Sequence, residues 1–192
     1  MRLFVALLLE PQCLASLQSI QSRLRALDTN SSVRWTDPKG VHLTLRFLGE
    51  VREERLPVLV QALAAAVQDR TAPVLGLDGL GAFPSRQRPR VIWIGVEEEG
   101  EALSPVQAAV EDAAAGLGWE PERRAFQPHL TLGRVRDTSG RGSPVPRPLL
   151  DAIAAKPVDD HPAVRHPRLA LMRSHLSPQG ARYEELQLWK LR

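Results

Sequence analysis

The chain has 192 residues, 43% hydrophobic and 24% charged, enough for one compact globular domain to bury a core without staples. No run approaches the roughly 20 apolar residues of a membrane span, the apolar start Leu3 to Leu9 lacks the charged leader and cleavage site of a signal peptide, and the single Cys13 excludes an internal disulfide and gives no support to a thiolate metal site, so a cytoplasmic protein is expected. The net charge is only +3, but 22 of the 25 basic residues are Arg, whose planar fork suits phosphate and whose abundance GC-rich codon usage would equally produce; the charge permits a nucleic-acid substrate without showing one.

Arg2 to Leu9 reads as a buried strand ahead of Pro11. A helix follows over about Gln12 to Leu27, with Leu14, Leu17, Ile20, Leu24 and Leu27 at helical spacing and the cluster Asp28 to Ser32 as its stop. Val33 to Trp35 and a turn at Pro38 to Gly40 lead into a strand, Val41 to Leu48, and Glu53 to Gln68 repeats the helical stripe. Val74 to Val96 reads as two strands joined by a basic loop containing Arg86, Arg88 and Arg90, with Val91 to Val96 the stronger strand. A third helix spans about Glu101 to Leu117, and Gly118 stops it. A further extended segment runs over Arg123 to Val135. Asp137 to Pro148 has the composition of a surface loop. A short helix near Leu149 to Ala155 precedes two strands, Arg168 to Leu176 and Tyr183 to Leu191, joined by a turn at Ser177 to Gly180. No glycine-rich phosphate loop opens a helix, which argues against a dinucleotide-binding or P-loop fold.

One tetrapeptide occurs twice: His-Leu-Thr-Leu at His42 to Leu45 and again at His129 to Leu132. In a strand, His and Thr share one face and both Leu side chains take the other, so each copy is polar towards a cleft and apolar towards a core. Free histidine titrates near pH 6.5, so one imidazole can serve as general acid while its counterpart serves as general base. Phosphodiester hydrolysis needs this pair, with hydroxyls such as those of Thr44 and Thr131 to steady the equatorial oxygens. Metal binding is disfavoured, because no Cys, Asp or Glu sits within either tetrad. His161, His166 and His175 stand in no such setting and read as surface or hydrogen-bonded residues.

These residues resemble the two-histidine (2H) phosphoesterase superfamily, defined by paired His-x-Thr/Ser-x motifs. More narrowly, the chain is similar to RNA 2′,3′-cyclic phosphodiesterases of the ThpR type, formerly called 2′-5′ RNA ligases. The likeness is carried by Arg2-Leu3-Phe4-Val5-Ala6, the phrase Val41 to Val51, Gly81-Ala82-Phe83-Pro84, the strand Pro89 to Val96, the phrase Phe126 to Arg134, and Ser174-His175-Leu176 through Gly180 to Tyr183. The resemblance implies an α+β, bilobal fold: two antiparallel sheets with flanking helices, related by a pseudo-twofold axis around a central groove. Residues 1–192 would form one domain of two intertwined lobes, one carrying the 42–45 tetrad and the other the 129–132 tetrad.

The implied reaction is hydrolysis of an RNA or nucleoside 2′,3′-cyclic phosphate to a 2′-phosphate without metal or other cofactor. His42 would be the proton donor to the 3′ oxygen and His129 the acceptor that activates water, with Thr44 and Thr131 on the phosphate. Phe47 and Arg134, each five residues after its His, match the family positions that hold the terminal nucleobase, a sequence-tolerant mode of stacking. Strict strand alternation would set Phe47 opposite His42, and a strand end or bulge is needed to bring it round. Arg90 stands where the family commonly has a basic residue, and either a phosphate contact or an exposed strand end accounts for it. The expected partner is RNA with a cyclic phosphate end or a cyclic nucleotide, with no membrane and no obligate protein partner, and the chain is expected to be a monomer. Alternatives on the same scaffold are a 2′-5′ RNA ligase, an RNA-end-binding factor, or a phosphodiesterase for an ADP-ribose cyclic phosphate, a 2′-5′ oligoadenylate or a 3′ uridine tail.

Overall fold

The structure is a computed structural model that describes residues 1–136, 145–155, 163–165, 167–177 and 180–192. In chain order it runs β1 (Arg2–Leu8), α1 (Pro11–Leu27), β2 (Val33–Trp35), β3 (His42–Glu50), α2 (Leu56–Val67), β4 (Val74–Pro84), β5 (Pro89–Glu99), α3 (Leu103–Gly116), β6 (His129–Val135), α4 (Arg147–Ala155), β7 (Arg168–Ser177) and β8 (Gly180–Lys190). The elements follow the expected order. β5 extends past the expected Val91 to Val96 at both ends and takes in Arg90 of the expected basic loop, and β8 starts at Gly180 instead of Tyr183. Gly79, at φ 39°, is left unpaired in a bulge between Asp78 and Leu80, and Gly81 lies beneath the Trp93 indole, so both glycines are accommodated inside the strand.

The strands form two antiparallel groups of four. β3, β1, β7 and β8 pair in that order, β4, β5 and β6 pair with β2 added beside β6, and the two groups meet where Leu43 of β3 faces Leu130 of β6. The α+β architecture of antiparallel strands with flanking helices thus agrees with the expectation, and the two sheets join at this one pair into a single path. The helices cover one face. Leu3, Val5 and Leu7 of β1, Leu43 and Leu45 of β3, and Ile92, Ile94, Leu130 and Leu132 pack there with Leu17 of α1, Leu59 and Leu63 of α2, Val110 of α3 and Ile153 of α4. The opposite face of the first group carries Phe4, Ala6, Ala170 and Met172, with Tyr183 and Leu188 against them.

Caps and buried polar groups fix the joints. Pro11 opens α1, where its missing N–H costs nothing. Asp28 ends it and accepts hydrogen bonds from Ser32 N (2.8 Å), Ser32 Oγ (2.7 Å), Val33 N (3.0 Å) and Trp35 Nε1 (3.3 Å), which orders the turn into β2. Burial alone would raise the Asp28 pKa, but these donors outweigh it and hold the carboxyl below its usual range. No helix among the described residues is long and apolar enough to cross a membrane. Residues 137–144 of the expected surface loop, together with His161, His166 and part of the Ser177 to Gly180 turn, lie outside the described residues.

Candidate active site

Each tetrad opens a strand, β3 at His42 and β6 at His129. Leu43 and Leu130, both 0% exposed, point into the helix-covered core. Strand alternation therefore turns His42, Thr44, His129 and Thr131 to the opposite, groove face. Because the two strands are antiparallel about the Leu43–Leu130 pair, His42 comes beside Thr131 and Thr44 beside His129. Neither threonine hydroxyl has a hydrogen-bond partner among the described residues.

Both strands then break alternation in the same way. Ala6 pairs with Thr44 and Val5 with Arg46, leaving Leu45 without a partner on β1; Trp93 pairs with Thr131 and Ile92 with Gly133, leaving Leu132 without one on β5. Each is a β-bulge, and each has the same consequence: Leu45 and Arg46 are both buried, as are Leu132 and Gly133, and the next residue, Phe47 or Arg134, returns to the groove face. Phe47 is 60% exposed and its ring lies 5.9 Å from Phe4, which also stacks on His42. The bulge supplies the shift that alternation alone forbids. Because β3 and β6 run in opposite directions from the Leu43–Leu130 pair, Phe47 and Arg134 lie towards opposite ends of the groove.

The two bulges are held by different chemistry. The Leu132 carbonyl accepts from Thr36 N (2.9 Å) and from Nε2 of the buried Gln21 (2.8 Å). A Cβ on Gly133 would lie 2.6 Å from Val33 Cγ1, so β2 can close on β6 only with glycine there. The matching Arg46 sends its guanidinium towards α3, where Nε lies 3.2 Å from Glu111 Oε2, an off-line ion pair, and another nitrogen donates to the Glu120 carbonyl. Arg90 is exposed next to the β4–β5 turn and forms no ion pair among the described residues.

Aromatic rings frame both histidines. His42 stacks on Phe4 at 4.7 Å and meets the Tyr183 ring edge-on at 4.9 Å; His129 meets Phe83 edge-on at 5.0 Å with Trp93 at 6.0 Å. Each Nδ1 faces a carbonyl two residues earlier, Gly40 O at 2.8 Å and Gln127 O at 2.7 Å. A carbonyl can only accept, so Nδ1 carries the proton in both rings and both Nε2 atoms are left for the groove. Burial lowers the pKa of both imidazoles; the carbonyl bonds raise it in part, and the charge of Arg134 lowers both further, as does His129 acting on His42. In the free protein at neutral pH both rings are therefore neutral. The antiparallel Leu43–Leu130 pair sets the two tetrads side by side on this face.

The tetrads pick out His42, Thr44, His129 and Thr131, but nothing in strand periodicity marks Phe4, Tyr183, Phe83 or Trp93 as the rings that frame the histidines. Their only signal is membership of the other phrases that carry the family likeness. His175 pairs with Glu184 at 2.7 Å within the β7–β8 hairpin, in the hydrogen-bonded role expected of it.

The model of the family described as LigT like Phosphoesterase matches residues 7–93 and again 94–183. The RNA 2′,3′-cyclic phosphodiesterase of Archaeoglobus fulgidus is 32% identical over 99% of this chain and 100% of its own length, and that of Thermus thermophilus is 35% identical over 100% and 91%. Among solved structures, TT0787 of Thermus thermophilus superposes with a TM-score of 0.77 at 31% identity, covering 100% of this chain and 98% of that one. E. coli LigT complexed with 3′-AMP gives a TM-score of 0.72 at 25% identity, covering 99% and 97%.

Proposed function

The chain belongs to the LigT-like phosphoesterase family, and from that premise we propose that it hydrolyses the 2′,3′-cyclic phosphate at RNA ends to a 2′-phosphate, with His42 and His129 as the acid and base. The observation that carries this reading is the paired placement of two Nδ1-anchored imidazoles and two unpartnered threonine hydroxyls on one sheet face.

A cyclic phosphate carries one negative charge. Set between the tetrads, it draws a proton onto one imidazole and raises its pKa, offsetting the depression in the free protein. His129 Nε2 then removes a proton from water as the water oxygen bonds to phosphorus. The bond from phosphorus to the 3′ oxygen breaks, and His42 Nε2 delivers its proton to that oxygen. The products are a 2′-phosphate and a 3′-hydroxyl, and proton exchange with solvent restores the pair. Thr44 and Thr131 donate to the equatorial oxygens, and Arg134 adds positive charge near both rings. Phe47 offers the terminal base a stacking surface at one end of the groove, and Arg134 offers a guanidinium plane at the other. Arg90, exposed on the Arg134 side through the pairing of Val91 with Arg134, is available to the RNA backbone. The same reading takes the two four-stranded halves as lobes of one domain and the enzyme as a cytoplasmic monomer.

Replacement of either histidine tests the dyad. His42→Ala and His129→Ala are each expected to lower kcat on a 2′,3′-cyclic phosphate by about 10²–10⁴-fold with an unchanged circular-dichroism spectrum. Substantial turnover in either variant would overturn the two-histidine mechanism.

A further inference from the structure

Alongside His42, the β7–β8 hairpin curls over the sheet and closes a cavity of about 380 Å³ against the segment from Thr36 to His42. Tyr183 fixes the curl by standing edge-on to both His42 and Phe4, and the hairpin reaches across to β2, where a methyl on Gly180 would lie 3.6 Å from Arg34 Cδ. Leu9, Leu14 and Met172 give the cavity an apolar floor. Lys39, Arg168 and Arg182 stand exposed around it, and none of the three forms an ion pair among the described residues. Two carboxylates share the lining: Asp37, which accepts from Lys39 N at 3.0 Å, and Glu185. A shallower hollow between α2 and α3 is lined mainly by alanines, far from the tetrads, and presents no comparable chemistry.

His42 lines the cavity and also stands on the tetrad face, so the two sites are adjacent. Thr36, also in the lining, is bonded to Leu132, which places the cavity towards the Arg134 end of the groove and away from Phe47. Its volume lies within the roughly 300–1,000 Å³ of small-molecule sites. An apolar floor with two guanidinium forks and an ammonium at the rim suits one nucleotide: base or ribose on the floor, phosphate on the forks, and hydroxyl or amino hydrogens on Glu185.

We propose that this cavity is the subsite for the nucleotide immediately 5′ of the cyclic end, with Arg168 and Arg182 holding the phosphodiester that joins it to the terminal nucleotide. The subsite deepens the hydrolase reading and rests on it. It makes the enzyme a reader of RNA ends in preference to free cyclic nucleotides.

Three substrates test the subsite: a 2′,3′-cyclic mononucleotide, a dinucleotide ending in the cyclic phosphate, and the same dinucleotide with an uncharged methylphosphonate linkage. The unaltered enzyme is expected to favour the natural dinucleotide over the mononucleotide in kcat/KM by about tenfold or more. Arg168→Gln and Arg182→Gln should each remove most of that preference while leaving the mononucleotide unchanged, and neither should change turnover of the methylphosphonate substrate. Variants that depress mononucleotide and dinucleotide alike, or neither, or that lose as much on the uncharged linkage as on the natural one, would overturn the subsite. Absence of turnover on every substrate by the unaltered enzyme would overturn the hydrolase reading itself, and the subsite with it.

Discussion

Two imidazoles that are both depressed below their ordinary pKa present a definite problem for acid–base catalysis, because one of them must carry a proton when substrate arrives. Burial is the main cause at each ring, and the charge of Arg134 reinforces it. The consequence for pH is signed. The free enzyme is competent only where one ring is protonated and the other is not, and with both pKa values below 6.5 that window lies on the acid side of 6.5. The kcat/KM profile is therefore expected to be a bell peaking below pH 6.5, and the kcat profile, which reports the complex, to peak higher because bound phosphate raises the pair. A kcat/KM maximum above pH 7.5 would contradict the assignment. Arg134→Ala removes one depressing charge and should move the kcat/KM bell towards higher pH while weakening binding; an unmoved bell would show that Arg134 does not act on the pair.

The strands position these residues through a feature that sequence periodicity does not record. The tetrads state which face His42, Thr44, His129 and Thr131 share, because within four residues alternation holds. Alternation then fails: the bulges at Leu45 and Leu132 carry Phe47 and Arg134 back to the histidine face. Neither bulge is announced by a glycine or proline at the bulged residue. They are stabilised instead from a distance, by Gln21 and Thr36 on Leu132 and by the Arg46–Glu111 pair after Leu45. Gly79 and Gly81 serve β4 differently, since one bulges and the other makes room for a ring inside a continuous strand. An added Cβ at Gly81 would lie 2.2 Å from Trp93 Cη2 and Cζ2, and Trp93 lies against His129. Gly81→Ala is therefore expected to displace the indole, to destabilise the fold by about 1–3 kcal/mol, and to lower kcat. The double variant Gly81→Ala/Trp93→Phe, with a smaller ring, should recover much of both losses; thermal melts and single-turnover rates report the two separately. No recovery would mean that Gly81 matters for its backbone and not for seating Trp93.

Across the molecule, the site is assembled where two four-stranded groups touch at one residue pair, so their relative placement depends on what braces that joint. α3 supplies part of the brace. Arg46 is 8% exposed and sits between the Glu111 carboxylate and the Glu120 carbonyl, while Trp119 Nε1 donates to the Leu48 carbonyl at 2.8 Å and Arg55 lies over the Trp119 ring at 4.1 Å. Among the described residues, Arg46→Ala leaves the Glu111 carboxylate with only the Glu122 N–H bonded to it and is expected to cost about 1–3 kcal/mol in denaturant unfolding. A cost below about 0.5 kcal/mol would assign the brace to Trp119 and Arg55 instead. This tie, between residues 65 apart in sequence, is invisible in the chain, as is the reach of Tyr183 from β8 to His42. The central claim is a reaction and is tested as one. The purified protein is incubated with EDTA and an RNA oligonucleotide ending in a 2′,3′-cyclic phosphate, and the 2′-phosphate and 3′-phosphate products are resolved. Conversion to the 2′-phosphate is expected; a 3′-phosphate product, or no conversion until a metal is added, would contradict a two-histidine hydrolysis in which the 3′ oxygen leaves.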